Sequence, residues 1–229
     1  MAGLILVPVI WMSLIALVRS RPVVRYALLS ITALCCLFIL LPGRSHRDLA
    51  GMRRDYATGL RRYLGVRYYW GGESPKGIDC SGLVRRGLID SMFLRGIRDC
   101  DPGLVRYAVR LWWNDCSAND LGQGNGLTAR RFSTRSINSL DHSQIFPGDL
   151  AVTTGGAHVM AYLGDQRWIE ADPGVGRVII EKAPSGGNSW FQMPMDIVRW
   201  DVLQSTSPAP ARSTPPSAPA AASPAAVSH

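Results

Sequence analysis

Residues 68–82 read YYWGGESPKGIDCSG and set one cysteine, Cys80, among small and polar residues. A thiol is mostly protonated at neutral pH and becomes a useful nucleophile only where the thiolate is favoured. The run IDCSGLV puts Cys80 at a helix start, with Asp79 placed to cap the first turn. Unpaired N–H groups and the helix dipole favour negative charge there. The same N–H groups can hold an oxyanion, and Ser81 and Gly82 are small enough to admit a substrate backbone. The plain alternative is a small cysteine with a structural role only.

A nucleophilic thiol needs a base, and histidine is the usual one. Of the four histidines, His46 follows an apolar run, His142 lies in a polar loop and His229 is in the tail. His158 opens the apolar stretch HVMAYLG directly after TTGG, so it can face a neighbouring cleft. Twelve residues on stands Glu170, in RWIEADPG. A hairpin turning at GDQ brings the two positions side by side, because side chains two apart share a strand face. Glu170 could then orient the imidazole and stabilise its charged form; Asp172 is a second candidate for that role. No CxxC or Cys/His metal spacing is present, so neither a metal nor a cofactor is expected.

These residues must be positioned by a domain of moderate size. The chain has 229 residues and a formal charge of +8, carried almost wholly by arginine, with Lys76 and Lys182 the only lysines. The arginines are dispersed, which argues against a nucleic-acid partner. Residues 2–18 and 26–42 are uncharged apolar runs joined by RSRPVVR, and a transmembrane helical hairpin over 1–45 is expected. Arg19, Arg21 and Arg25 favour a cytoplasmic loop and an extracytoplasmic domain, although Arg44, Arg47, Arg53 and Arg54 pull the other way. Leu49, Met52, Tyr56, Leu60 and Tyr63 recur at helical spacing, and a second helix starts at Cys80. After a short helix around LVRYAVRLWW comes a polar loop. Beyond Pro147, DLAVTT, HVMAYLG, RWIEA and RVIIEK read as about four antiparallel strands. Helices first and strands later predict an α+β domain over 46–203, with helices on one face of a small antiparallel sheet. The Pro/Ala/Ser-rich stretch 204–229 cannot bury a core and reads as a disordered tail. Cys100 and Cys116 can be read as a disulfide pair or as two thiols.

The ordered segments YYWGG, DCSGLV, PGDL and HVMAYLG resemble the NlpC/P60 cysteine peptidases of bacterial cell walls. The resemblance covers about 68–170. It implies a papain-like α+β fold and hydrolysis of amide bonds in peptidoglycan stem peptides, next to D-glutamate; with the apolar runs, the expectation is a membrane-anchored enzyme. Residue by residue, it gives Cys80 as nucleophile, His158 as base and Glu170 as third residue, where the family commonly has histidine. Tyr68 matches a site-lining tyrosine that helps hold the oxyanion, and Asp79 and Ser81 match the pair flanking the nucleophile. Extra sequence around 99–140, with Trp112 and Trp113, is expected to reshape the groove. The alternatives are a non-catalytic wall- or partner-binding scaffold with the same fold, or a thiol acyltransferase.

Overall fold

The computed structural model of the protein describes residues 11, 13, 21–124 and 126–204. Of the two apolar runs, the first, 2–18, lies outside the described residues apart from 11 and 13, as does the tail beyond 204. The second forms helix α1, Pro22–Leu40, which starts earlier than its uncharged run and takes in Arg25. Proline at its start suits a first turn that has no use for that N–H. None of its residues is buried, and at a mean hydropathy of 2.2 it is long and apolar enough to cross a membrane. One such helix is found among the described residues, so the expected hairpin is not seen.

Helix α2, Leu49–Arg61, is capped by Asp48, which accepts a hydrogen bond from the Gly51 amide at 2.9 Å. Its buried Met52, Tyr56 and Leu60 lie one turn apart and face helix α3, Cys80–Arg98. The Tyr56 hydroxyl donates to the Val84 carbonyl at 2.9 Å, which satisfies a polar group that would be costly to bury alone. Before α3 the chain makes a two-strand turn, β1 Glu73–Ser74 and β2 Gly77–Ile78. After it come α4, Pro102–Trp113, and α5, Ala118–Gln123, the latter begun by a capping box between Ser117 and Asp120. All five cysteines are free thiols, Cys100 exposed and Cys116 buried.

The sheet is larger than the four strands expected. It has six, β3 Thr128–Thr134, β4 Leu150–Thr153, β5 Val159–Gly164, β6 Arg167–Asp172, β7 Arg177–Lys182 and β8 Met195–Trp200. Their order is β3-β8-β4-β5-β6-β7, with every neighbouring pair antiparallel. The two unexpected strands pair with each other and extend the β4 edge. β3, TARRFST, is a largely polar edge strand with only its first residue buried, so it lacks the apolar alternation that betrays a strand. The β5–β6 hairpin turns at Asp165 and Gln166, both with positive φ (52° and 62°), the turn whose twist suits paired strands.

One face of the sheet packs on the helices through Val159, Ala161, Ile169 and Ala171 against residues such as Leu83, Leu88 and Tyr56. The opposite face carries Met160, Tyr162, Trp168 and Ile197 and is closed by Ile137, Ile145 and Phe191 from connecting segments. Helices on a single face of an antiparallel sheet make this an α+β fold.

Candidate active site

Asp79 is the N-cap of α3. Its Oδ1 accepts from the Gly82 amide at 2.6 Å and from the Ser81 hydroxyl at 3.0 Å, and its Oδ2 accepts from the Gly71 amide at 2.8 Å. One carboxylate thus joins the first turn of α3 to the aromatic-glycine loop before it. Gly82 is required there, because a Cβ would stand 2.3 Å from the Gly72 carbonyl oxygen. The result fixes Cys80 as the first helical residue, 8% exposed, lining an open groove of about 230 Å³. Tyr68, Trp70 and Ser81 also line that groove. Tyr68 is held by backbone pairing to Gly176 and Ile78. Burial, together with Cys80 and Asp79, raises its pKa, so the phenol stays protonated and able to donate.

His158 immediately precedes β5 and is 1% exposed. Its amide donates to Thr153 Oγ1 at 2.9 Å and its carbonyl accepts from the Thr153 amide at 3.0 Å, which pins the backbone on both sides of the ring. His158 Nε2 lies 2.6 Å from Glu170 Oε2, with both side chains buried. Cys80 is near enough to the ring to favour its charged form. With Nε2 turned to Glu170, Nδ1 is the nitrogen left for Cys80. Burial works against a charged imidazole, but Cys80 and Glu170 together outweigh it and raise His158 to about 9. At neutral pH the ring is therefore a proton-holding imidazolium near a sulfur.

Three residues that hold the histidine and its carboxylate were not legible in the sequence. The Trp190 ring stacks on the imidazole, with centroids 4.3 Å apart and planes 16° from parallel. Asn188 Nδ2 donates to Glu170 Oε1 at 2.5 Å and to Glu181 Oε2 at 2.9 Å, while Asn188 Oδ1 accepts from the Trp190 amide at 2.9 Å. One buried amide therefore positions both the carboxylate and the indole that hold His158. Thr153 is the third. Asn188 and Trp190 belong to a connecting segment without periodicity, so no sequence signal could have pointed to them.

The remaining candidates fall elsewhere. Asp172 Oδ1 accepts from the Gly174 and Val175 amides at 2.6 and 3.1 Å and closes a turn, while Glu170 is the carboxylate on His158. His142 Nε2 accepts from the Trp168 indole at 3.2 Å, and burial lowers its pKa, as suits a neutral structural ring. Among the described residues no group of His, Cys, Asp and Glu could hold a metal ion.

The segment 99–140 does reach the groove. Asp115, Cys116 and Ser117, which follow α4, line it opposite Glu73. Arg85, 3% exposed, reaches across beneath: it pairs with both Glu73 and Asp115 and donates to the Leu111 and Trp112 carbonyls at 3.1 Å each. One buried guanidinium ties the end of α4 to the β1 wall. Gly156, with φ +72°, packs so closely on Asn119 that a Cβ would lie 2.4 Å from its Cα, which joins α5 to the loop before His158. Burial pushes the Cys116 thiol up to about 11, so this second groove cysteine is a poor nucleophile.

The fold is α+β, with a thiol, an imidazole and a carboxylate brought together where the start of a helix meets one end of the sheet. The sequence pattern of the NlpC/P60 family matches residues 65–192, and the chain belongs to that family. It is 31% identical over 161 residues to the peptidoglycan endopeptidase RipB of two Mycobacterium tuberculosis strains, an alignment covering 65% of this chain. The chain spans 56% of the length of those relatives. The solved structure of M. tuberculosis RipB aligns with a TM-score of 0.43 at 23% identity, over 73% of this chain and 77% of that one. An N-acetylmuramoyl-L-alanine amidase from Bacteroides uniformis aligns with a TM-score of 0.44 at 14% identity, over 66% and 99% of the two chains.

Proposed function

We propose that the protein is a membrane-anchored cysteine hydrolase that cleaves amide bonds in peptidoglycan stem peptides, next to D-glutamate. The observation that carries this reading is the buried His158–Glu170 pair close to Cys80 at a helix start in an open groove. His158 takes the proton of the Cys80 thiol, Cys80 Sγ attacks the amide carbonyl carbon, and the oxyanion is held by N–H groups at the start of α3 and the Tyr68 hydroxyl. The imidazolium of His158 protonates the leaving amine as the C–N bond breaks, leaving a thioester. His158 then takes a proton from water, which adds to the thioester; the C–S bond breaks and the acid leaves. Glu170 keeps the imidazole oriented and stabilises its charged form throughout. Asp79 and Ser81 fix the entrance. The wall substrate is supported by family membership and by the likeness to the peptidoglycan endopeptidase RipB.

Helix α1 is the anchor in this reading, with the domain on the extracytoplasmic side, where the wall lies. The test is digestion of purified peptidoglycan by the full chain in detergent, with mass analysis of the fragments. Soluble stem-peptide fragments from the wild type and none from Cys80→Ala are expected. Identical fragments from both would sink the hydrolase, and products joined to an added amine rather than to water would make it a transferase. A reporter fused after residue 203 and active only in the cytoplasm would overturn the topology.

A further inference from the structure

Helix α4 has two apolar faces. Leu104, Ala108 and Leu111 point into the core, while Val109, Trp112 and Trp113 turn outward and are 48%, 55% and 55% exposed. The outward face of a surface helix is ordinarily polar. Here it carries two adjacent indoles, edge to face at 6.1 Å. Val109 and Trp113 border an apolar groove that also takes in Ile39, next to last in α1, and Arg106 and Arg110.

The end of α1 is fastened to this same helix. The Arg106 guanidinium donates to the carbonyls of Ile39 and Leu41, the second at 2.6 Å, and so satisfies acceptors that a helix end leaves open. A second tie follows at once. Asp101, the N-cap of α4, accepts from Arg47 Nε at 2.8 Å and from the Arg44 amide at 3.2 Å. The chain leaving α1 is thus strapped along α4.

An apolar span ends where the headgroup layer begins, and indoles and arginines favour that layer, with apolar bodies and wet or charged tips. We propose that the outward face of α4 (Val109, Trp112 and Trp113, flanked by Arg106 and Arg110) lies in the interfacial layer of an anionic phospholipid bilayer, the one that α1 crosses. This rests on α1 being the membrane anchor. Continuity with the end of that helix, and arginines beside the indoles, single out a bilayer over a protein partner. The consequence is positional. Asp115–Ser117 continue directly from α4 into the wall of the Cys80 groove, so docking holds the groove at a fixed height over the bilayer.

The test uses the full chain carrying Trp11→Phe, so that no indole remains in the N-terminal apolar runs. It is reconstituted in phosphatidylcholine/phosphatidylglycerol vesicles with and without phosphatidylcholine brominated near the headgroup. The chain should float with the vesicles and show quenched tryptophan emission, and W112F/W113F should lower the quenched fraction at least twofold. Arg106→Gln should lower it too. A chain that does not float overturns the anchor and the face together. One that floats with equal quenching in both variants overturns the face alone. So do indoles open to aqueous iodide but untouched by bromolipid, which means a bare face, and indoles shielded from both, which means a second protein copy covers it.

Discussion

Two buried ion pairs sit in the same sheet and do different work. Arg199 of β8 grips Asp149 with a two-bond fork at 2.5 and 2.6 Å, and both side chains are almost fully buried. His158 and Glu170 are as close, at 2.6 Å, and as deep. Distance and burial do not tell them apart. The guanidinium is permanently charged, and both of its bonds to Asp149 are spent on structure. The imidazole can release its proton, and it has a second nitrogen that Glu170 does not engage, with Cys80 close enough to influence its charge. A buried pair becomes a candidate site when one member can titrate and has a face left for another group. The PGDL segment shows the converse, since its Asp149 serves only to hold β4 against β8 and the Phe146 turn.

The comparison breaks most readily at the thiol and the imidazole. Cys80→Ala or His158→Ala should each lower the rate of stem-peptide hydrolysis by roughly 10³-fold or more, as for other members of a nucleophile–base unit. Asp149→Ala should instead cost about 3–5 kcal/mol of stability, because it strands a buried guanidinium. Thermal melting measures that loss, and kcat of the protein still folded should stay within about twofold. A normal Tm with lost turnover in Asp149→Ala would erase the distinction.

Glu170→Gln keeps the shape but removes the charge that favours the imidazolium. A fall of about 10²-fold in kcat is expected, within the usual range for general acid–base help, and His158 should titrate below its present value of about 9. The wild-type pH–rate profile should therefore fall as pH rises through about 9, where the imidazolium that protonates the leaving amine is lost. The stability sign follows the same direction. Because the folded value lies above the ordinary 6.5, the stabilisation from charged His158 is whole below pH 6.5 and is lost as pH climbs through about 9. Melting at pH 6 and pH 9.5 should differ less in His158→Ala than in the wild type. The smallest effect belongs to Asn188→Ala, which frees Glu170 and Trp190 together; a roughly tenfold drop in kcat with little change in KM is expected from losing a positioning residue.

Much of the site was legible because its signals are local. The Asp-Cys-Ser run has a cap, a helix start and small neighbours within a few residues, and the β5–β6 hairpin carries its own turn. His158 and Glu170 meet across that hairpin at a separation of twelve residues. β3 and β8 were missed because their pairing joins residues roughly seventy apart, and β3, at an exposed edge, has no apolar period to read. The polar loop expected after α4 was wrong for the same reason. It contains α5 and β3, and their apolar contacts are few and distant.

By itself the sequence determined the order of the main helices and of β4 to β7, the place of Cys80 at a helix start, and a histidine and carboxylate facing each other across one hairpin. Spacing along the chain settles such things, since helix and strand periods are properties of the backbone. Only the tertiary structure chose Glu170 over Asp172, stacked Trp190 on the imidazole, and set Asn188 behind both. It also turned Arg85 into a tie between two groove walls and strapped α4 to the end of α1. Those contacts join segments with no common period, and packing alone decides which of them touch.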